Sequence, residues 1–263
     1  MAAGAAALAL SAPACAAPPT PTIAIIIDDL GYQLAAGRRA VALPGPVACA
    51  VLPSTPRAKL LAEAAYTAGK DVLLHLPLQP MDWDGTAEPG AILLDMTRGE
   101  LSRSFAASLH SIPHVVGVNT HQGSLLTRHP GHMSWLMQEI RAAGGLFFVD
   151  SYTTAESIAL GIARESGVPA VRRDVFLDPD PAVATVKREF ARLKRLARER
   201  GMAVGIGHPY PATLALLERE LPKLADAGFR LVSISDYVAE ARAAAAGPSR
   251  PAGANRAAVA AAK

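Results

Sequence analysis

IAIIIDDLGY, residues 23–32, runs from an unbroken apolar stretch into two adjacent carboxylates, Asp28 and Asp29. Such a stretch without polar alternation is typical of a strand that is buried on both faces, as in a parallel sheet. Two neighbouring carboxylates at its end repel each other, and the apolar surroundings raise the cost of their charge. A helix cap, a basic partner or a metal ion would each compensate, so this strand end is a candidate functional site.

Similar short apolar runs follow along the chain, and helix-like segments separate them. They are VACAVLP (47–53), DVLLHLP (71–77), VVGVNTH (115–121), GLFFVDS (145–151), AVRRDVFLD (170–178), MAVGIGH (202–208) and FRLVSIS (229–235). One separating segment opens with Thr97 and has Glu100 three residues later, which is a capping-box pattern. This alternation predicts an α/β fold, a (β/α) barrel of seven to eight mostly parallel strands, distorted or incomplete. An open doubly wound sheet is the alternative.

The predicted domain spans residues 22–240, and segments of different composition flank it. Residues 1–21 are small and apolar and contain Ala14-Cys15-Ala16, which is typical of a cleaved export signal, with a disordered leader as the alternative. Residues 241–263 are rich in Ala, Gly, Pro and Arg and predict a disordered tail. An export signal predicts a periplasmic or secreted protein.

Composition narrows the classes of partner. The chain has 263 residues, of which 51% are hydrophobic, and a formal net charge of +3. Its basic residues are spread out or confined to one helix, which argues against nucleic acid as a partner. No apolar stretch approaches the ~20 residues that a membrane-spanning helix needs. The sequence gives no prediction of the oligomeric state.

Side chains that bind metals or transfer protons end most of the predicted strands. They are Asp28-Asp29, His75, Asn119-Thr120-His121, Asp150-Ser151 and His208. Because the carboxyl ends of parallel strands meet at one rim, we expect these side chains to face one pocket. Aspartate with two or three histidines suits zinc best, and also cobalt, iron or nickel. One carboxylate of the pair would then bind the divalent metal while the other accepts a proton.

Taken together, these motifs resemble the divergent polysaccharide deacetylases, a branch of the NodB-type carbohydrate esterases. The resemblance covers roughly residues 23–238 and rests on six blocks that occur in the family's order. They are IAIIIDDLGY, GKDVLLHLPLQP, GVNTHQGSLLT, FFVDSYTT, RRDVFLD and GIGHPYPATL. The resemblance implies a NodB-like barrel, a divalent metal and the removal of acetyl groups from an acetylated glycan.

The same resemblance implies roles for individual residues. Asp28 corresponds to the general base, Asp29 to a metal ligand, and His208 to the late histidine that protonates the leaving group. His75 matches the first histidine of the H-x-x-x-H-P motif, but Gln79 stands where the second belongs. We expect His121, which ends the neighbouring strand, to complete the ligand set.

Further residues are candidates for supporting or substrate-binding roles. Asp150 is expected to orient His208 or His121, as carboxylates do for metal-binding imidazoles. Asn119 is expected to stabilise a developing oxyanion. The ring of Trp83 would offer an apolar face to a sugar. The complete set is Asp150, Asn119, Gln79, Ser124 and Trp83.

Two functions remain open from the sequence. The first is a metal-dependent hydrolase that cleaves the amide bonds of N-acetyl groups, or the corresponding esters, in a cell-envelope polysaccharide. The second is a catalytically weak or inactive deacetylase-like protein that binds glycan or an envelope partner. Gln79 and the lack of an Arg-Pro-Pro motif favour the second function, whereas the Asp28-Asp29 pair with His75 and His208 favours the first.

Overall fold

A single curled sheet of nine strands forms the centre of the protein in the computed structural model, which describes residues 20–246. The predicted leader up to residue 19 and the predicted tail from residue 247 lie outside the described residues. The strands are β1 (Thr22–Leu30), β2 (Ala48–Val51), β3 (Val72–Leu78), β4 (Val115–Gln122), β5 (Phe147–Asp150), β6 (Ala170–Arg172), β7 (Val175–Phe176), β8 (Met202–Gly207) and β9 (Arg230–Leu231).

Helices follow most of the strands, and all but the last of them cover the outside of the sheet. They are α1 (Leu34–Val41), α2 (Ala58–Thr67), α3 (Arg98–Ser111), α4 (Pro130–Ala143), α5 (Ala159–Glu165), α6 (Val183–Arg200), α7 (Pro211–Glu220) and α8 (Ile234–Ala246). The predicted capping box begins α3, where the Thr97 hydroxyl accepts a hydrogen bond from the Glu100 backbone N–H. Among the described residues, no helix combines the length and the apolar character that crossing a bilayer requires.

The strand order confirms the predicted barrel and shows where it is incomplete. The sheet runs β6-β5-β4-β3-β2-β1-β8-β7 with parallel pairing throughout, and β9 pairs with the start of β1. Within the described part of the chain, β6 and β7 are the two ends of this order, so the barrel stays open between them. The predicted strand 170–178 is therefore two short strands, which Arg173 and Asp174 separate.

Two apolar layers form on the opposite faces of the sheet, because successive side chains of a strand point to opposite sides. On β1, Ile23, Ile25 and Ile27 belong to the cluster that packs against the helices. Ala24 and Ile26 belong to a smaller cluster inside the barrel. Both layers are buried, which explains why the sequence of β1 shows no polar alternation.

Helix α8 closes the barrel at the end where the strands begin. Tyr237 and Val238 pack into the inner cluster, and the backbone N–H and hydroxyl of Ser235 both donate to the Asp71 carboxylate, just before β3. The helix continues through residues 241–246, which the sequence analysis assigned to the tail, so the folded part extends past residue 240. The opposite rim, at the carboxyl ends of the strands, stays accessible for a site.

Candidate functional site

A kink at the end of β1 brings Asp28 and Asp29 to the same histidine, His75. In a regular strand two consecutive side chains would point to opposite faces. The pairing of β1 with β2 shifts register between Ile27 and Leu30, and Asp29 adopts a left-handed conformation with φ of 58°. The Nε2 atom of His75 consequently lies 3.7 Å from Oδ2 of Asp28 and 3.1 Å from Oδ1 of Asp29.

Asp29, His75 and His121 form a compact cluster of three ligand atoms. Oδ1 of Asp29 lies 3.1 Å from Nε2 of His75 and 2.9 Å from Nδ1 of His121, and these two nitrogens are 3.1 Å apart. The parallel pairing of β3 with β4 places His75 beside Asn119 and Pro77 beside His121, so both histidines share the inner face. Three such groups in one place could hold a metal ion.

Asn119 connects this cluster to Asp28. Its Oδ1 atom lies 2.9 Å from Nδ1 of His75, and its Nδ2 atom donates to Oδ1 of Asp28 over 2.8 Å. Because the amide oxygen accepts a hydrogen bond from Nδ1, the other ring nitrogen of His75 is directed at Asp29. Asn119 is fully buried, so it holds the base candidate and one ligand candidate in fixed relative positions.

His208 adjoins the cluster from β8, and Asp178 holds it in place. Nε2 of His208 lies 3.6 Å from Oδ2 of Asp29. The Asp178 carboxylate accepts from His208 Nδ1 over 2.9 Å, from the His208 backbone N–H over 2.7 Å and from the Thr213 hydroxyl over 2.6 Å. The sequence analysis missed Asp178 as a site residue, although it ends the block RRDVFLD as the other strand-end carboxylates end theirs.

The prediction that Asp150 orients a site histidine is wrong. Its carboxylate accepts from the Tyr152 backbone N–H over 2.9 Å and from the Ser157 hydroxyl over 2.8 Å. Asn119 pairs in register with Val149, so the adjacent Asp150 faces the other side of the sheet. Asp150 stabilises the turn after β5, and Asp178 is the carboxylate that contacts a site histidine, His208.

Gln79, Ser124 and Trp83 lie away from the ligand cluster and organise the loop of residues 79–97, the β3–α3 loop. Oε1 of Gln79 accepts from the Leu94 backbone N–H over 2.7 Å, and the Ser124 hydroxyl accepts from the Met81 N–H over 2.9 Å. The Trp83 indole N–H donates to a carbonyl of its own loop. Trp83 and Gln79 line a shallow groove beside the site, where the indole ring is 36% exposed.

A pocket of about 210 Å³ opens above the inner face of the barrel. Its walls include Asp28, His75, His208 and Arg173. The Arg173 guanidinium, from the break between β6 and β7, donates to the Ser151 and Tyr152 carbonyls after β5. Arg173 was not among the predicted site residues. RRDVFLD contains two adjacent arginines, and no motif around them indicates which one faces the inside of the barrel.

Burial and the neighbouring charges shift the pKa values of Asp28, Asp29 and His75. Burial raises the pKa of Asp28 above its ordinary value, although the nearby imidazoles act in the other direction. Burial also acts to raise the pKa of Asp29, but hydrogen bonds from His121 and His75 outweigh it and lower that pKa. For His75, burial acts to lower the pKa, and the two carboxylates outweigh it and raise the pKa to about 9. Positive charge at this position therefore compensates the paired carboxylates.

The structure is a parallel, incompletely closed (β/α) barrel with aspartates and histidines at its carboxyl rim, which is a deacetylase-like fold. The family model described as divergent polysaccharide deacetylase matches residues 25–238, and the chain belongs to this family. This membership confirms the resemblance that the sequence motifs indicated.

Individual proteins and solved structures are also similar to this chain. Uncharacterized protein YibQ of Escherichia coli K12 is 35% identical over 215 residues, which are 82% of this chain and 66% of that protein. The chain thus spans just under two thirds of this relative's length. The structure of uncharacterized protein ATU2773 from Agrobacterium tumefaciens C58 superposes with a TM-score of 0.79 at 25% identity, covering 86% of this chain and 92% of that chain. A mutant of peptidoglycan deacetylase PdaC from Bacillus subtilis gives a TM-score of 0.51 at 14% identity, over 86% and 95% of the two chains, and supports the fold alone.

Proposed function

We propose that the protein is a metal-dependent hydrolase that removes acetyl groups from a cell-envelope polysaccharide. The convergence of Asp29, His75 and His121 beside Asp28 and His208 carries the proposal. Family membership supports a polysaccharide as the substrate. The apolar leader supports an exported protein, which would meet such a polymer in the periplasm or outside the cell.

The three ligand atoms fit a zinc ion. Tetrahedral zinc with nitrogen and oxygen ligands at ~2.0–2.1 Å separates those ligands by about 3.3 Å. The separations of 2.9, 3.1 and 3.1 Å between the three atoms are already close to this value. Two histidines and one carboxylate also leave a coordination position open, as in catalytic zinc sites. When bound, such a cation would polarise the acyl carbonyl and lower the pKa of a water molecule.

Asp28 suits the role of general base. Its carboxylate is buried, and burial raises its pKa, which makes it a better proton acceptor than an exposed aspartate. The Asn119 amide donates to Oδ1 of Asp28, so the other oxygen keeps its capacity to accept a proton from an attacking water. The same amide fixes the direction in which the carboxylate points.

His208 suits the role of general acid. Burial acts to lower the pKa of His208, but the hydrogen bond with Asp178 and the charges of Asp28 and Asp29 outweigh it and raise the pKa. A raised pKa favours the protonated imidazole, which is the form that can donate a proton to a departing amine. Asp178 directs the Nε2 atom towards the site by holding Nδ1.

The second candidate function is glycan binding without turnover. One observation favours it: the Gln79 amide is bonded to the Leu94 backbone, so the position of the family's second motif histidine supplies no ligand here. A binding protein that keeps the fold would not require Asp28 and His208 at their observed places. The following experiment separates the two functions.

We would measure the zinc content of the full chain by elemental mass spectrometry, and acetate release from N-acetylated glycans. The hydrolase proposal expects about one zinc per chain in the wild type, and loss of the metal in His75→Ala but not in the surface control His110→Ala. Asp28→Asn should keep the metal and lose acetate release. Metal binding without acetate release from any acetylated glycan or aryl acetate would favour the binding protein, and a metal-free wild type after zinc incubation would refute the hydrolase.

A further inference from the structure

We propose that Glu88 is a positioning residue that orients His121 as a metal ligand, and that Gln79 anchors the loop that carries Glu88. The inference rests on the proposed function, because it concerns how the ligand set is held. It assigns a role to the amide that replaces the second motif histidine. It also gives a reason why His121, on the neighbouring strand β4, can serve as a ligand in place of the second motif histidine.

Glu88 contacts the outward nitrogen of His121. Oε1 of Glu88 lies 3.2 Å from Nε2 of His121, while Nδ1 of the same ring faces Oδ1 of Asp29 over 2.9 Å. A carboxylate accepts but does not donate, so in the metal-bound protein this contact would hold the ring proton on Nε2 and leave the lone pair of Nδ1 for the metal. Metal-binding histidines commonly have such a partner, which sets both the tautomer and the ring orientation.

The other two site histidines also have a hydrogen-bond acceptor on one ring nitrogen. Asn119 accepts from Nδ1 of His75, and Asp178 accepts from Nδ1 of His208. Both of these partners come from the sheet region and are buried. Glu88 differs because it comes from the β3–α3 loop and its side chain is 34% exposed. Its effect on His121 therefore depends on what holds that loop in place.

Gln79 provides that anchor at the base of the loop. The backbone N–H of Gln79 donates to the Ile92 carbonyl over 3.0 Å, and the Ile92 N–H donates to the Pro77 carbonyl over 2.9 Å. Oε1 of Gln79 adds a third bond, accepting from the Leu94 N–H over 2.7 Å. These bonds join the returning chain to the end of β3, so the segment between them, which includes Glu88, is held against His121.

The first test compares zinc affinities by chelator competition. Glu88→Ala should raise the zinc Kd by about tenfold, the lower end of the range for partners of metal ligands, because solvent can reach this hydrogen bond. Glu88→Gln keeps an acceptor oxygen and should retain most of the affinity. Asp82→Ala removes an exposed carboxylate from the same loop and serves as the matched control, with an unchanged Kd.

A second measurement needs no metal. In the metal-free protein, the ¹⁵N chemical shifts of the His121 ring report which nitrogen carries the proton. Glu88→Ala removes one of the two carboxylates that face this ring, so the resonances should shift towards the tautomer with its proton on Nδ1, opposite Asp29. Asp82→Ala should leave them in place. This readout distinguishes an oriented ring from a general loss of loop structure.

The anchor is tested on Gln79. Gln79→Ala should weaken zinc binding about as much as Glu88→Ala, and Gln79→Glu, which keeps the acceptor, should not. Because both residues act through one contact, the double variant Gln79→Ala/Glu88→Ala should lose little more than either single variant. Circular dichroism of each variant verifies that the barrel is folded.

The outcomes separate this inference from the proposed function. If the wild type binds zinc and the zinc Kd of Glu88→Ala equals that of Asp82→Ala, the inference is overturned and the hydrolase proposal stays intact. Additive losses in the double variant would overturn the anchoring role of Gln79. A wild type that binds no zinc would overturn both proposals, because His121 would then have no metal to face.

Discussion

Replacing Asp178 with asparagine removes one negative charge from the centre of a three-bond network and nearly preserves its shape. The side chain is fully buried and accepts from two His208 donors and from the Thr213 hydroxyl. A hydrogen bond to a charged acceptor contributes ~1.5–3 kcal/mol, against ~0.5–1.5 kcal/mol for a neutral one. Asparagine has only one acceptor oxygen, so two of the bonds weaken by about 1 kcal/mol each and the third, worth ~1.5–3 kcal/mol, is lost. We therefore expect Asp178→Asn to lower the free energy of unfolding by about 4 kcal/mol.

The same change should also act on the proton of His208. Burial acts to lower the pKa of His208, and the hydrogen bond and charge of Asp178 act to raise it, so removing that charge should lower the pKa. Urea unfolding followed by circular dichroism measures the first effect, and NMR titration of the His208 ring measures the second. We expect both effects in Asp178→Asn, together with a loss of any turnover that needs a protonated His208.

Asp174→Asn is the matched control for this experiment. Asp174 accepts from the Val204 backbone N–H over 2.8 Å and from Arg200 over 3.2 Å, at the other end of β8. Its replacement should lower stability without changing the titration of His208. If Asp178→Asn unfolds at the same urea concentration as the wild type, or if His208 titrates at an unchanged pH, the reasoning about this network is refuted.

Three further predictions follow from packing, from hydrogen bonding and from metal linkage. Gly117→Ala should lower the free energy of unfolding by ~1–3 kcal/mol, because its Cβ would overlap the Phe147 ring. Gly161→Ala in α5 meets no atom within 4 Å and should raise the free energy of unfolding by up to ~1 kcal/mol; thermal melts compare the two variants. Adding Gln79→His to a His121→Ala variant should not restore zinc content in elemental analysis, since position 79 faces the loop; restored zinc would contradict this placement. Zinc at a hundred times its Kd should stabilise the wild type by about 2.7 kcal/mol in calorimetry, and equal stabilisation of His121→Ala would show that the zinc binds elsewhere.

The fold was predictable from the sequence because the repeated apolar runs have strand length and lie between helix-like segments. The capping box at Thr97 and Glu100 also marked the start of α3 correctly. The break at Arg173 was not predictable, since AVRRDVFLD contains no Gly or Pro that would interrupt a strand.

The position of a residue at a strand end predicted the rim of the barrel on which its side chain lies. It did not predict whether the side chain faces the inside or the outside of the sheet. His75 and Asn119 are paired in register and share the inner face, whereas Asp150 is one residue beyond the inward-facing Val149 and points outward. Register between distant strands sets this parity, and no local pattern in the sequence encodes it. Asp178 was missed for the complementary reason, because the break in the strand before it changes which side its carboxylate faces.

The left-handed residue at the end of β1 restricts which amino acids can serve at that position. Aspartate and asparagine tolerate a positive φ better than most residues, and glycine tolerates it without a side chain. Glutamate could reach a metal from a longer side chain, but it lacks the local hydrogen bonding that makes this conformation acceptable. A designer who transfers the centre to another parallel barrel must therefore copy the distorted backbone of residues 27–30 first, because the ligands alone would point apart on a regular strand.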